Sequence, residues 1–279
     1  MLDALDVVVV GDVGMVQDHV GNPGYDFDFR RLLAGRSQRF GEVLHDAIAR
    51  VGPIGDYARL EQRLAERDVF LANSQKAHAR ASRLSFWYPR IAHLTPRSRV
   101  LAPEDLPQAT HIAADLGWPV FVKGDRQTSR HDASLAIARS PDALTALLAR
   151  YRADSILHWQ PVVLREHLSL RRVRDAAPGG LPAAFEFRTF WWRDRLLAAG
   201  PYWSTDPGFH WTDREREQGL AVAREAAQAL DVPFLVVDIA QDVDRRWWVI
   251  ECNDGQESGL AGCSPLQLWQ SLVEVRRDA

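Results

Sequence analysis

Long apolar runs are missing from this 279-residue sequence. None approaches the roughly 20 residues that a membrane-spanning helix needs. An excess of one charge is also missing. The formal net charge is −3, which gives no electrostatic case for a nucleic-acid partner or an acidic membrane. Cysteine is scarce: only Cys252 and Cys263 occur. Two thiols are too few for a disulfide framework or a zinc cluster, and they point to a reducing cytosol. Residues Met1 to Asp6 carry no basic segment, and Val7 to Val10 is too short for a signal core. The expected location is therefore cytoplasmic. There is no repeat and no low-complexity tract, and the Pro178 to Pro182 stretch reads as a local loop.

Lysine is nearly absent too. Of 34 basic residues, only Lys76 and Lys123 are not arginine. A strongly hydrated point charge on a flexible stem suits phosphate. Lys123 ends an apolar strand, as a residue aimed at a phosphate would. The other reading is two surface lysines.

What is present is a chain with 46% apolar residues, long enough for a large core and two domains. Val7 to Val10 reads as a buried strand, closed by Gly11-Asp12-Val13-Gly14, and Gly21 to Gly24 as a turn. Residues 38 to 50 and 56 to 67 carry helical periodicity. Val69 to Leu71 reads as a strand, with Asn73 or Ser74 capping a helix that holds Lys76. This alternation predicts an α/β domain up to about residue 94, with a boundary at Thr95-Pro96. A helix is expected over 104–116, ended by Gly117, and then a strand to Lys123. Ser140-Pro141-Asp142 opens a helix to about Tyr151. Strands are expected over 156–166, 185–192 and 196–199. Thr212 to Glu215 forms a capping box for a helix to Leu230. Phe234 to Gln241 and Trp247 to Asn253 read as a hairpin.

That hairpin carries the chemistry. A four-residue loop over 242–245 would set Gln241 opposite Arg246 and Asp238 opposite Val249. Glu251 and Asn253 would then share a face with Asp238, while Ile250 and Cys252 face the core. Two carboxylates and an amide so spaced can converge on a hard cation with oxygen ligands, and Mg²⁺ fits. Alternatively, they are acids on a solvated face. Glu186 and Arg188 share one face of their strand, with Phe185 and Phe187 on the other. Arg171, Arg172 and Arg174 read as a solvated loop. Trp191, Trp192, Trp247 and Trp248 read as packing residues.

The run from Gly117 to Lys123, paired with Asp238 and then Glu251-Cys252-Asn253, resembles the ATP-grasp superfamily, which includes carboxylate–amine ligases. The first looks like the family's phosphate-lysine strand and the second like its metal set. The resemblance covers roughly residues 70 to 260. It implies an α+β fold: an ATP-grasp domain over 95–279, of two α+β subdomains (95–166 and 167–279), behind an N-terminal α/β domain over 1–94. It implies ATP and Mg²⁺ as cofactors. Lys123, and more loosely Lys76, would bind phosphates. Arg165, Glu166 and Leu168 lie in a segment that looks like the adenine hinge. Glu186 matches the acid that takes the ribose hydroxyls. Asp238, Glu251 and Asn253 would hold Mg²⁺, and Arg188 would stabilise the transferring phosphoryl group. The stretch Gly124 to His131 has one glycine where the family often has several, so Arg130 or His131 is expected to replace backbone donors. Arg165 stands where a hinge acid is common.

The implied reaction is an ADP-forming ligation of a small-molecule or peptide carboxylate to an amine through an acyl phosphate. An oligomer is compatible with it. The alternatives are a small-molecule kinase of the same fold, and a nucleotide-binding regulatory protein without turnover. Covalent adenylyl transfer, suggested by Lys123-Gly124-Asp125, lacks the glycine its motif needs, because Arg126 stands there.

Overall fold

The computed structural model describes residues 7–8, 43–49, 55–126, 133–155, 157–175, 180–203 and 209–277. The glycine turns at 11–14 and 21–24, as well as Arg130 and His131, lie outside them.

The first layer is a parallel sheet in the order β1 (Val7–Val8), β2 (Leu44–Ala49), β3 (Val69–Leu71). Helix α1 (Tyr57–Ala65) connects β2 to β3, capped by Asp56, whose side chain accepts from the Arg59 N–H. The helix expected over 38–50 is thus a strand across 44–49. The physical reason is burial: Ala47, Ile48 and Ala49 are all fully inaccessible. A central strand of a parallel sheet is covered on both faces and loses its alternation, so a short buried run looks the same in either period. Ser74 caps α2 (Gln75–Ser82), and α3 (Leu84–Ile91) follows.

The second layer begins just past Thr95. Strands β4 (Ser98–Leu101), β5 (Val120–Gly124), β6 (Ile137–Ala138) and β7 (Val162–Glu166) form an antiparallel sheet in the order β4-β7-β5-β6. The single helix expected over 104–116 is split into a 3₁₀ turn (Pro103–Gln108) and α4 (Ala109–Leu116). Pro107 has no N–H to give an α-helical ladder. Short α5 (Ala133–Ala136) and longer α6 (Pro141–Ala153) complete the layer, α6 capped by the Ser140 side chain. Only the second half of the strand expected over 156–166 forms, since Gln160 donates back to Leu157 in a turn.

The third layer contains the small pair β8 (Arg172–Arg174) and β9 (Ala183–Ala184), then β10 (Glu186–Trp192), β11 (Arg195–Pro201), α7 (Asp213–Leu230), β12 (Phe234–Gln241), β13 (Trp247–Asp254) and α8 (Pro265–Arg277). The sheet order is β11-β10-β12-β13, antiparallel throughout. The capping box of α7 forms as expected: the Thr212 hydroxyl accepts from the Glu215 N–H, and the Glu215 carboxylate accepts from the Thr212 N–H.

The two faces of this sheet have different roles. Phe187, Trp191, Leu235, Val237, Val249 and Cys252 pack with α7 and α3 in the largest core cluster. The opposite face is apolar only at one end, where Phe190, Trp192, Phe234 and Val236 lie under Leu268, Trp269 and Leu272 of α8. Past that helix the same face turns polar, with Glu186, Arg188 and Asp238. All four tryptophans are packing residues; Trp248, the most exposed, stacks under Arg246 and donates to Asp242. Arg171 is not part of a solvated loop. It stacks on Phe185, 3.8 Å from the ring centre, and pairs with Glu215 at 2.6 Å. Arg172 and Arg174 are exposed on β8.

Candidate active site

The hairpin register differs from the one that loop counting gives. Gln241 faces Trp247 and Ile239 faces Val249, so the loop has one residue more than expected. Carried onward without change, that slip would turn Glu251 into the core. A β-bulge corrects it. Ile250 is the extra residue, and beyond it Asp238 directly faces Glu251. Val249 therefore lies in the core, fully buried beside Cys252, and not on the face of Glu251. Ile250, expected inward, is half-buried.

The bulge is fastened from the neighbouring layer. The Val249 N–H donates to the Leu94 carbonyl at 2.8 Å, and the Thr95 hydroxyl donates to the Val249 carbonyl at 2.8 Å. Arg165 donates to the Ile250 carbonyl at 2.6 Å, to the Val249 carbonyl at 3.3 Å, and to the Thr95 hydroxyl. Burial lowers its guanidinium pKa to about 10. The side chain of Arg165 is thus committed to β13, away from the hinge in which the sequence puts it.

With that register, charges from two layers meet on one face. Arg188 faces Asp238 across β10 and β12 and grips it in a fork, Nε to Oδ1 at 2.9 Å and Nη2 to Oδ2 at 2.7 Å. Its remaining nitrogen donates to the Gly259 carbonyl at 2.8 Å, and its guanidinium lies over the Tyr202 ring. Lys123 crosses from β5 to donate to Glu251. Asn253, on the same face, also donates to Glu251. Glu186 accepts from the Trp203 indole at 3.1 Å.

Burial and neighbouring charge set the protonation states. Burial works to raise the Glu251 pKa, but the Lys123 ammonium outweighs it and the net shift is downward. Burial works against the Arg188 cation, but Asp238 outweighs it and the pKa rises. For Asp238 burial is the largest effect, with Glu251 adding to it; Arg188 offsets this only in part, and the pKa lies above the usual carboxylate value. Glu186 is pushed up to about 8, first by burial and then by Asp238. Near neutral pH the face thus balances Asp238 and Glu251 against Arg188 and Lys123, with Glu186 largely protonated.

Among the described residues, no three or more His, Cys, Asp or Glu side chains converge as a metal-binding group. A cation here would rest on two carboxylates and the Asn253 amide oxygen, an all-oxygen set suited to Mg²⁺ completed by phosphate oxygens.

Other candidates lie apart from this face. Lys76 is exposed on α2 and has no side-chain partner among the described residues. Glu166 pairs with Arg97 at 3.1 Å, and its N–H donates to the Arg97 carbonyl. Leu168 is half-buried in the loop after β7, and its carbonyl accepts from the Leu170 N–H.

Sequence reasoning took Asp254 and Gln256 for turn residues only. They are the centre of a buried network. Asp254, fully inaccessible, accepts from Asn73 at 2.8 Å and from the Gln256 N–H at 2.7 Å, and pairs with His78 at 3.1 Å. The Gln256 amide reaches the Tyr57 hydroxyl and the Ala49 N–H. The turn after β13 is thereby tied to the first layer. Glu257, further along it, pairs with Arg126 at 3.1 Å. The one signal in the sequence was an acid at an alternating core position, two after Cys252.

Comparison with known proteins agrees with this architecture. A family model described as an ATP-grasp domain, clade family 3, matches residues 115–272, more than half of the chain. No curated protein matches the sequence. Among solved structures, a RimK domain ATP-grasp protein from Sphaerobacter thermophilus DSM 20745 is similar at TM-score 0.57 and 13% identity, over 84% of this chain and 86% of that one. D-alanine–D-alanine ligase from Bacillus anthracis, complexed with ATP, is similar at TM-score 0.55 and 14% identity, over 84% and 80% of the two chains. N5-carboxyaminoimidazole synthase from Aspergillus clavatus is similar at TM-score 0.52 and 14% identity, over 80% of this chain and 59% of that one. Identities this low speak to fold alone. The family match carries the assignment: this chain has an α+β ATP-grasp fold and belongs to the ATP-grasp superfamily, within the clade family whose model it matches.

Proposed function

We propose that the protein is an ATP- and Mg²⁺-dependent, ADP-forming ligase that joins a carboxylate to an amine through an acyl phosphate. The observation that carries this reading is the face where Lys123 and Arg188 meet Glu251 and Asp238. Its cations match phosphates, and its oxygens match the metal that accompanies them. The nucleotide would lie between the 95–166 and 167–279 subdomains, with residues 1–94 behind them. Structures of similar fold were obtained with ATP and with ADP, which supports the choice of nucleotide.

Asp238, Glu251 and the Asn253 oxygen would hold Mg²⁺. When bound, the ion neutralises phosphate charge and polarises the bond to the transferred group. As the two acids turn to it, Lys123 and Arg188 are released towards phosphate oxygens. Arg188 then stabilises charge on the phosphoryl group as it passes to the substrate carboxylate. Glu186, largely protonated, can both donate to and accept from a ribose hydroxyl. Exclusion of water protects the acyl phosphate until the amine attacks, the C–N bond forms and phosphate leaves.

The test is incubation with ATP, MgCl₂ and a metabolite mixture, following ADP, AMP, phosphate and new masses. ADP, phosphate and an amide product are expected. AMP would overturn the ADP-forming route, and a stable phosphoester would make the protein a kinase. Mg²⁺-dependent ATP binding without any turnover would leave a nucleotide-binding protein.

A further inference from the structure

We infer that Arg165 is the positioning residue that sets the aim of Glu251, by holding open the bulge at Ile250. In a regular strand, successive carbonyls point to opposite edges. Here the carbonyls of Val249 and Ile250 reach the same guanidinium, at 3.3 and 2.6 Å. That is the signature of the extra residue, and the planar fork of an arginine is the side chain that can satisfy two adjacent carbonyls together. β13 is an edge strand of its sheet, so no ladder competes for these groups. The sheet on the other side of the contact supplies the clamp. Arg165 lies on β7, between β4 and β5, and Thr95 completes its shell.

The consequence is geometric. Without the bulge, the hairpin loop of 242–246 sets Glu251 and Asn253 on the core face; with it, both join Asp238. The same cation therefore fixes the facing of two of the three oxygen donors without touching a ligand. β5, beside β7, carries Lys123, so one layer supplies both the partner of Glu251 and the clamp that aims it. This rests on the ligand roles proposed above for Glu251 and Asn253.

The test compares Arg165→Met, the milder Thr95→Val, and Arg171→Ala as a destabilised control remote from the bulge. ATP binding is measured calorimetrically over a MgCl₂ titration, with melting temperatures alongside. Both Arg165→Met and Thr95→Val should raise the half-saturating Mg²⁺ concentration, by about tenfold or more for Arg165→Met, the scale for residues that orient metal ligands. ATP binding with chelator present should be unchanged, and Arg171→Ala should keep the wild-type Mg²⁺ dependence. A lower melting temperature with wild-type Mg²⁺ dependence would make Arg165 merely structural and overturn the inference. If Arg165→Met does not fold, Thr95→Val decides by the same criterion. If the wild type shows no Mg²⁺-dependent ATP binding, the functional reading fails, and the inference is then judged without ligand. The Lys123–Glu251 coupling, measured by a double-mutant cycle, should vanish when Arg165 or Thr95 is replaced. Its persistence would overturn the clamp.

Discussion

Lys123 and Glu251 join two sheets through one charge pair, and the burial of each side predicts how a double-mutant cycle will come out. The Lys123 side chain is 4% exposed and that of Glu251 is 22% exposed. Glu251→Gln keeps the shape and an acceptor but removes the charge. Lys123 is left as a buried cation facing a neutral amide. Removing one partner of a fully buried pair costs about 3–5 kcal/mol. The partial exposure of Glu251 and the retained acceptor reduce that to roughly 2–3 kcal/mol. At about 2–4 °C per kcal/mol for a domain of 150–250 residues, the melting temperature should fall by roughly 4–12 °C. Lys123→Met leaves Glu251 with some solvent and with the Asn253 amide, so its cost is smaller, about 1–2 kcal/mol. The double variant has no stranded charge. Its loss should fall short of the sum by about 1–3 kcal/mol, the range for residues in contact.

The assay is denaturation of the four proteins without nucleotide. The cycle also has a pH signature. The folded pKa of Glu251 is depressed by Lys123, so its contribution is present above the ordinary glutamate pKa and is lost as pH falls through the lower folded value. Strict additivity at neutral pH would refute the pairing, and with it the charge balance on which the functional reading rests.

Glu186 gives the opposite pH dependence. Its pKa is raised from 4.5 to about 8, so the stability of the neutral form is fully present below pH 4.5 and is lost as pH rises to 8; Glu186→Gln should remove that slope from a melting-temperature profile. Cys252→Ser puts a hydroxyl into the core beside Val249 and Val237; it should cost about 1–3 kcal/mol in urea denaturation, while the folded fraction keeps its ATP affinity. Gly200→Ala would set a methyl group 2.2 Å from the Gly262 carbonyl oxygen. Backbone must move there, so a loss of at least about 1–3 kcal/mol is expected by the same measurement.

The legible parts of the sequence were those governed by local chemistry. Ser74, Ser140 and the Thr212–Glu215 box start helices because side-chain oxygens there meet free N–H groups. The strand ending in Lys123 and the hairpin of β12 and β13 were legible because apolar runs met a charge at a fixed offset. The illegible parts depend on what lies across space. Residues 44–49 form a strand because neighbours cover both faces. Arg171 reads as one of several loop arginines until Phe185 and Glu215 are found beside it. Loop counting gave the right face for Glu251 for the wrong reason, since the extra loop residue and the bulge each flip it once. Nothing in the residues near 250 announces a bulge. Its cause is Arg165, 85 positions earlier.

Glu251 sits inside an apolar strand, and stability alone does not explain it. A buried charge pair is often replaced by apolar residues at no loss. Four charges arranged as two pairs, Arg188 with Asp238 and Lys123 with Glu251, keep the face neutral when it is empty. On the proposed reading this neutrality has a thermodynamic consequence. A phosphate can take Lys123 only if Glu251 finds another cation, and a metal can take Glu251 only if Lys123 finds another anion. Each ligand alone breaks a pair and strands a buried charge. The two together exchange the pairs at little cost. Nucleotide and metal should therefore bind with positive coupling that is reciprocal by linkage. The partner of a lysine in the other sheet has to point out of the core at a fixed height on its strand, and the bulge gives Glu251 that direction.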